Sequence, residues 1–174
     1  LNDFSIAFWV NTTTAERFIL ESYGSSAWIW ISINSDGHLQ VKLNDSSFSS
    51  IGAITDNRRH YVVLSRSWLN VNLYIDTQNV GSVAHGSPLT LPNTLYIWYD
   101  SKSNISFSGL LDEFRLYKRA LSTDEIKHFY NSNLSAKANN WEYVVNYKWV
   151  SNWKPWNYIY NLFDSFNNGI KDED

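Results

Sequence analysis

The chain has 174 residues, of which 44% are hydrophobic, 17% aromatic and 18% charged, which indicates one globular domain and excludes a disordered or collagen-like chain. Fourteen basic and seventeen acidic side chains give a net charge of −3; this lacks the positive excess of a phosphate-binding surface, so we expect no nucleic-acid partner. There is no cysteine, which excludes disulfides and cysteine-ligated metals, and no apolar run approaches the ~20 residues that span a bilayer.

Alternation of apolar and polar residues predicts strands along most of the chain. Residues 4–11 alternate in this way, and so do residues 28–34 and 39–44. Between the last two segments, Asp36 and Gly37 form a dipeptide that accepts positive φ angles. This pattern predicts a hairpin.

Further strands follow the same rule. A second hairpin is predicted over residues 60–75, with its turn at residues 67–70, and shorter strands at residues 95–99 and 110–117. The serine-rich residues 45–50 indicate a loop or a sheet edge.

One helix is predicted, over about residues 123–131. Ser122 is placed to cap it, and Glu125 completes a capping box. Leu121 and Ile126 fit the hydrophobic staple that fixes the entry of the chain into a helix. Many short strands and one short late helix predict an all-β fold, an antiparallel sandwich of two sheets.

Four segments carry a resemblance to a known family: residues 4–10, 59–64, 72–76 and, most specifically, 107–122, which read FSGLLDEFRLYKRALS. They resemble the laminin G-like, concanavalin A-like jelly-roll modules of extracellular and adhesive proteins. The resemblance covers about residues 1–131 and implies a jelly-roll sandwich. One departure is the sequence Asp76-Thr77-Gln78-Asn79, which stands where the family usually has an Asp-Gly turn.

The resemblance predicts a division of the chain into two parts, a laminin G-like jelly roll over residues 1–135 and an aromatic-rich extension over residues 136–174. The family usually has further strands before the one that starts at Phe4, so amino-terminal strands are expected to be missing, and the chain is expected to be part of a longer polypeptide. The extension holds ten aromatic residues between positions 141 and 166. We predict that it supplies edge strands or covers an outer sheet face; the alternative is that it begins a following segment.

Aromatic side chains on the outer faces of two strands form the first candidate ligand-binding site. Trp28 and Trp30 alternate with isoleucines that can face the core, and Tyr96 and Trp98 alternate with apolar residues in the same way. Planar rings of this kind can stack on the apolar C–H faces of sugars. The alternative is that neighbouring strands or a partner protein cover these rings, as in ordinary cores and interfaces.

A calcium site at the rim of the sandwich is implied by the resemblance, because members of the family often bind calcium there through Asp and Asn oxygens. Asp100 and Asn104, in a predicted polar loop, are the candidate ligands. Three further acids lie in or beside predicted turns, where such side chains more often bond their own backbone: Asp36, Asp45 and Asp76.

Asp112 and Glu113 are adjacent acids on the predicted strand 110–117. Alternation places Asp112 with Phe114 on one face and Glu113 with Arg115 on the other. Carboxylates on opposite faces cannot flank one glycosidic bond, so we predict no catalytic residues. Asp112 is expected to accept backbone or tryptophan N–H bonds, and Glu113 to form a surface pair with Arg115.

Asn44 and Asn104 are candidate glycosylation sites, since each begins an acceptor triplet in or beside a predicted loop. The four acceptor triplets of the chain are about as many as chance produces at this content of Asn, Ser and Thr. The triplets themselves therefore do not establish secretion.

The sequence as a whole predicts a non-catalytic recognition and adhesion module that binds a glycan or a protein in an extracellular, cell-surface or virion-surface setting. Two alternatives stay open. One is a carbohydrate-active enzyme or its sugar-binding appendage, and the other is a purely architectural subunit of a surface assembly.

Overall fold

The computed structural model describes residues 3–23, 28–44, 46–86, 94–97, 99–100, 105–132, 143–145 and 159–160. These residues form fourteen strands and one helix. The strands are β1 (Phe4–Asn11), β2 (Arg17–Tyr23), β3 (Trp28–Ile33), β4 (His38–Leu43), β5 (Ser46–Ala53), β6 (His60–Ser67), β7 (Asn70–Ile75), β8 (Gln78–Ala84), β9 (Thr94–Ile97), β10 (Tyr99–Asp100), β11 (Ile105–Ser106), β12 (Leu110–Tyr117), β13 (Tyr143–Val145) and β14 (Ile159–Tyr160). The helix is α1 (Thr123–Asn131).

Two six-stranded sheets contain all but two of these strands. The first sheet has the order β13-β12-β1-β6-β7-β8, and the second sheet has the order β14-β9-β2-β3-β4-β5. Neighbouring strands are antiparallel in both, and β10 and β11 pair separately. The predicted all-β, antiparallel two-sheet jelly-roll sandwich with one short late helix is confirmed.

The main core fills the space between the sheets. Phe8 and Leu64 enter it from the first sheet, Ile31 and Val41 from the second, and all four side chains are fully buried. Phe8 also stacks on Phe114, with ring centroids 6.1 Å apart. The inward rows are the apolar positions of the predicted alternation, because successive strand side chains point to opposite faces.

A second apolar cluster lies on the outer face of the first sheet, where α1 covers it. Trp9 and Tyr61 from the sheet pack with Ile126 and Phe129 from the helix. The helix has the predicted bounds, and its capping box is formed: Ser122 Oγ accepts from the backbone N–H of Glu125, and Glu125 Oε2 accepts from that of Ser122. The first sheet therefore packs on the second sheet with one face and on α1 with part of the other.

Both predicted hairpins are present. Gly37, at φ 81°, closes the β3–β4 turn, and Trp68 and Leu69 form the two-residue turn between β6 and β7. The serine-rich segment after Asp45 is the strand β5, which lies at the edge of the second sheet.

β2 and β8 are absent from the strands that the sequence predicts, because register shifts interrupt their alternation. In β2 the shift falls between Phe18 and Leu20, so that Ile19 and Leu20 are both fully buried although they are adjacent. In β8 the register of pairing with β7 shifts. Val80 and Val83, which are three positions apart in the sequence, therefore both pack on the core. A period-two test fails at both places.

Asp76 and Thr77 form the turn between β7 and β8, while Gln78 and Asn79 belong to the strand that follows. Asp76 and Thr77 have φ angles of 48° and 75°, the left-handed region that a short hairpin turn requires. A β-branched residue is strained there, so Thr77 forms this turn at a cost that glycine avoids.

Parts of the aromatic-rich extension pair with the sandwich. β13 lies beside β12, with Val144 opposite Arg115, and β14 lies beside β9, with Ile159 opposite Leu95. The division of the chain at residue 135 stays a prediction. Among the described residues, no helix has the length and apolar character that crossing a bilayer requires.

Candidate binding site

Trp28 and Trp30 lie together on the outer face of the second sheet. Their ring centroids are 5.0 Å apart and the rings are tilted by 46°. Both side chains are half-buried, and neither belongs to the two hydrophobic clusters. The alternating isoleucines of β3 are buried on the inner face, which turns the two indoles outward as the sequence predicts. We call this outer surface, with the residues beside the two indoles, the tryptophan face.

A row of cross-strand neighbours runs through Trp30. Its members share one side of the sheet because directly paired residues of antiparallel strands point the same way. Along the row from β5 to β9 the residues are Ser47, Lys42, Trp30, Glu21 and Tyr96. With Trp28, the tryptophan face therefore combines three aromatic residues with the cation of Lys42, the buried carboxyl group of Glu21 and the hydroxyl of Ser47.

Two neighbours fix the tryptophans. The edge of Phe18 meets Trp30 with ring centroids 5.5 Å apart at 77°, a preferred aromatic geometry. Asn44 brackets the backbone of Trp28: its Oδ1 accepts from Trp28 N at 2.9 Å, and its own N–H donates to Trp28 O at 3.1 Å. The side-chain oxygen of Asn44, which has a φ angle of 47°, is therefore engaged in a hydrogen bond within the protein. Glycosylation of Asn44 stays a prediction.

The cation of this face is Lys42. Its Nζ lies 4.7 Å from the ring centroid of Trp28 and 5.1 Å from that of Trp30. Both distances are within the range of a cation–π interaction. Gln40, on the same side of β4, is exposed and offers an amide to a ligand that lies on the rings.

The predicted aromatic residues divide into two groups. Trp28, Trp30 and Tyr96 share the tryptophan face, whereas Trp98 lies outside the described residues. Sequence reasoning missed Phe18 and Glu21, since β2 was not predicted. It also missed Lys42, although the Asp36-Gly37 turn sets the register of β3 and β4 and so places Lys42 opposite Trp30.

The described residues do not assemble a calcium site. No group of three or more His, Asp and Glu side chains suited to a metal occurs among them, and Asp76 Oδ1 already accepts from Tyr61 N at 2.8 Å. Asp100 is described only as backbone of β10, and Asn104 lies outside the described ranges. Calcium binding at Asp100 and Asn104 therefore stays a prediction.

The predicted arrangement of Asp112 and Glu113 is wrong, because β12 has a bulge there. Trp9 pairs with Asp112 and Ala7 with Arg115, which leaves two residues of β12 opposite one of β1. Asp112 consequently lies on the outer face with Trp9, not on the inner face with Phe114. Glu113, at φ 52°, is the strained residue of this bulge.

Asp112 has a different partner from the one predicted, whereas Glu113 pairs with Arg115 as predicted but in a buried position. Asp112 Oδ2 pairs with Arg59 Nη2 at 3.0 Å and is substantially exposed. Glu113 and Arg115 form a pair at 3.5 Å whose side chains are 20% and 5% exposed, so it is not a surface pair. Burial raises the pKa of Glu113, although the positive charge of Arg115 opposes the shift. Each carboxylate is therefore held by its own arginine.

Comparison with known proteins assigns the family. The sequence profile described as "Concanavalin A-like lectin/glucanases superfamily", of laminin G type, matches residues 1–127. No curated protein matches the chain.

Solved structures share the fold at low sequence identity. A heptameric SAP-like pentraxin from Limulus polyphemus has a TM-score of 0.63 at 15% identity, over 85% of this chain and 82% of the pentraxin. A putative carbohydrate binding protein from Bacteroides ovatus has a TM-score of 0.62 at 18% identity, over 72% of this chain and 40% of its own.

A third similar structure is domain 4 of AbnA, an extracellular arabinanase from Geobacillus stearothermophilus, in complex with arabinotriose. Its TM-score is 0.59 at 19% identity, over 75% of this chain and 67% of that domain. The profile covers most of the chain, and the jelly-roll sandwich agrees with it. The chain belongs to the concanavalin A-like lectin/glucanase superfamily, with a laminin G-like domain over residues 1–127.

Proposed function

We propose that this protein is a non-catalytic recognition module that binds glycans through the tryptophan face. The observation that carries the proposal is the pair of indoles, Trp28 and Trp30, held 5.0 Å apart on the outer face of the second sheet, away from the main core. Indole rings placed outside the core offer a flat apolar surface with little conformational entropy to lose on binding.

The surroundings of the two rings suit a sugar better than a purely apolar ligand. Gln40 and Ser47 are exposed beside them, and amide and hydroxyl groups bond sugar hydroxyls in both directions. The carbohydrate-binding description of the Bacteroides ovatus protein and the arabinotriose bound to the AbnA domain support the same class of ligand.

A non-catalytic role is proposed because the adjacent acids are each paired with an arginine, Asp112 with Arg59 and Glu113 with Arg115. We further propose an extracellular or surface setting, on a cell or a virion. The extracellular enzyme that carries the similar AbnA domain supports this setting.

A glycan array probed with the full chain, with and without calcium, tests the proposal, and titration calorimetry then gives the affinity for any glycan found. We expect Trp28→Ala and Trp30→Ala each to weaken binding by about thirtyfold, the loss of roughly 2 kcal/mol that follows removal of a central aromatic contact.

Trp68→Ala is the matched control. It removes an indole that is 63% exposed on the β6–β7 turn of the other sheet, and binding should be unchanged. Equal effects of all three substitutions, or no glycan bound by the unmodified chain, would overturn the proposal. A reducing-sugar assay on the bound glycan should show no turnover.

A further inference from the structure

Lys42 places a positive charge at the centre of the tryptophan face, over the rings of Trp28 and Trp30. The row neighbours of Lys42, which are Trp30 and Ser47, are uncharged, and so is Gln40 on the same side of β4. No carboxylate of the described residues lies within 4.0 Å of its Nζ. Among the described residues, two aromatic rings hold the ammonium group and no carboxylate pairs with it.

The acidic residue of this face does not balance that charge. Glu21 lies on the other side of Trp30, two strands from Lys42, which separates the two backbone positions by about 10 Å. Its side chain is fully buried. A ligand on the rings thus meets the ammonium of Lys42 and has no access to the carboxyl group of Glu21.

The position of Lys42 discriminates between ligands. A neutral sugar that stacks on the indoles has to displace the ammonium group and loses its cation–π contact. A sugar with an anionic substituent compensates for that loss, because the displaced ammonium group donates a charge-assisted hydrogen bond to the substituent.

We infer that Lys42 is the specificity-determining residue of the tryptophan face and that the preferred ligand is an acidic glycan, with a carboxylate or a sulfate on the ring that stacks on Trp28 or Trp30. This inference rests on the proposed glycan-binding function and names the ligand class for the same site.

The test compares the full chain with Lys42→Met and Lys42→Arg on an array that carries neutral, carboxylated and sulfated glycans. Met keeps much of the apolar stem and loses the charge, whereas Arg keeps the charge. We expect the unmodified chain to prefer acidic glycans, Lys42→Met to weaken that binding about tenfold or more, and Lys42→Arg to restore most of it. Binding to neutral glycans should stay the same or become tighter in Lys42→Met.

Two further measurements complete the test: the dependence of affinity on salt concentration and its dependence on the acidic substituent of the glycan. Because a partly exposed ion pair is screened, the affinity of the unmodified chain for an acidic glycan should fall between 50 and 500 mM NaCl, and that of Lys42→Met should change little. Polygalacturonate and its methyl ester report on a carboxylate, and chondroitin 4-sulfate and unsulfated chondroitin report on a sulfate.

The outcomes separate this inference from the function on which it rests. A preference for neutral glycans that Lys42→Met leaves unchanged would overturn the role of Lys42 but leave the glycan-binding function intact. Absence of any glycan bound by the unmodified chain would overturn both.

Discussion

His60 Nδ1 lies 2.7 Å from Oδ2 of Asp76, and the opposite ring nitrogen, Nε2, lies 3.0 Å from Oδ1 of Asp56. Asp76 belongs to the turn between β7 and β8. Asp56 belongs to residues 54–59, which carry the chain from the second sheet to the first. With a carboxylate at each nitrogen, the imidazolium is the form that donates both hydrogen bonds. His60 therefore ties a loop to a turn as a cation.

The protonation of His60 predicts how stability depends on pH. Burial acts to lower the pKa of His60, but the hydrogen bonds to Asp76 and Asp56 outweigh it, and the pKa is raised above 6.5. Because this pKa is raised, protonated His60 contributes its full stabilisation of the folded state below pH 6.5. That stabilisation is lost as the pH rises through the pKa of His60 in the folded state. The pKa of Asp56 is lowered below 3.8, chiefly by its hydrogen bond with His60, so its contribution is lost only as the pH falls below that value.

His60→Gln should consequently destabilise the protein most between about pH 4 and 6.5, and the difference from the unmodified chain should shrink toward pH 9. Urea denaturation at a series of pH values measures this difference. His128→Gln, at an exposed helix position, is the control and should show a smaller dependence. A difference for His60→Gln that grows above pH 7 would contradict the assignment.

The capping box of α1 gives a second prediction. Ser122→Ala removes the acceptor for the backbone N–H of Glu125 and should cost about 1 kcal/mol of unfolding free energy. Ser47→Ala, at an exposed strand position, should change it by no more than about 0.5 kcal/mol. Equal effects in urea denaturation would mean that the cap does not stabilise the helix.

Glu125 makes the same cap sensitive to acid. The hydrogen bond from Arg119 is the main reason that the pKa of Glu125 falls from 4.5 to about 2. A lowered pKa stabilises the folded state above pH 4.5, and this contribution is lost as the pH falls toward 2. NMR titration of the Glu125 carboxyl group should give a midpoint well below 4.5, whereas in Arg119→Gln the midpoint should move upward. An unchanged midpoint would exclude Arg119 as the cause.

Two glycines with positive φ angles separate strain from steric collision. At Gly109 (φ 150°) an added Cβ would collide with the backbone oxygen of Asn11, whereas at Gly52 (φ 95°) it would meet nothing within 4 Å. Gly52→Ala therefore reports backbone strain alone, expected at about 1 kcal/mol. Gly109→Ala should lower the melting temperature clearly further, and a similar effect of both would contradict the close approach of β1 to this glycine.

Two isoleucines test the core between the sheets. Ile31 is fully buried behind the tryptophan face, while Ile51 is 82% exposed on the edge strand β5. Ile31→Ala should lower the unfolding free energy by about 2 to 5 kcal/mol, because it removes buried contacts and leaves a cavity. Ile51→Ala should change it by less than about 0.5 kcal/mol. Near-equal values would exclude the inward orientation of β3.

Local patterns in the sequence determined several elements of this protein. Alternation predicted β3 and β12, the Asp36-Gly37 pair predicted the turn that joins β3 and β4, and Ser122 with Glu125 predicted the start of α1. These features depend on side chains within a few residues of one another, so that short windows of sequence contain the information they need. The outward position of Trp28 and Trp30 follows from the same alternation.

Only the tertiary structure decided which residues meet across strands. Three features depend on the register between distant segments of the chain. They are the bulge that places Asp112 beside Trp9, the register shift that interrupts the alternation of β2, and the pairing of Asp76 with His60. A slip of one residue exchanges the two faces of a strand, and the energy that sets the register comes from packing across the whole sandwich. The sequence by itself therefore determined the two-sheet sandwich and the outward orientation of its two indoles, whereas the tertiary packing placed Lys42 against both rings.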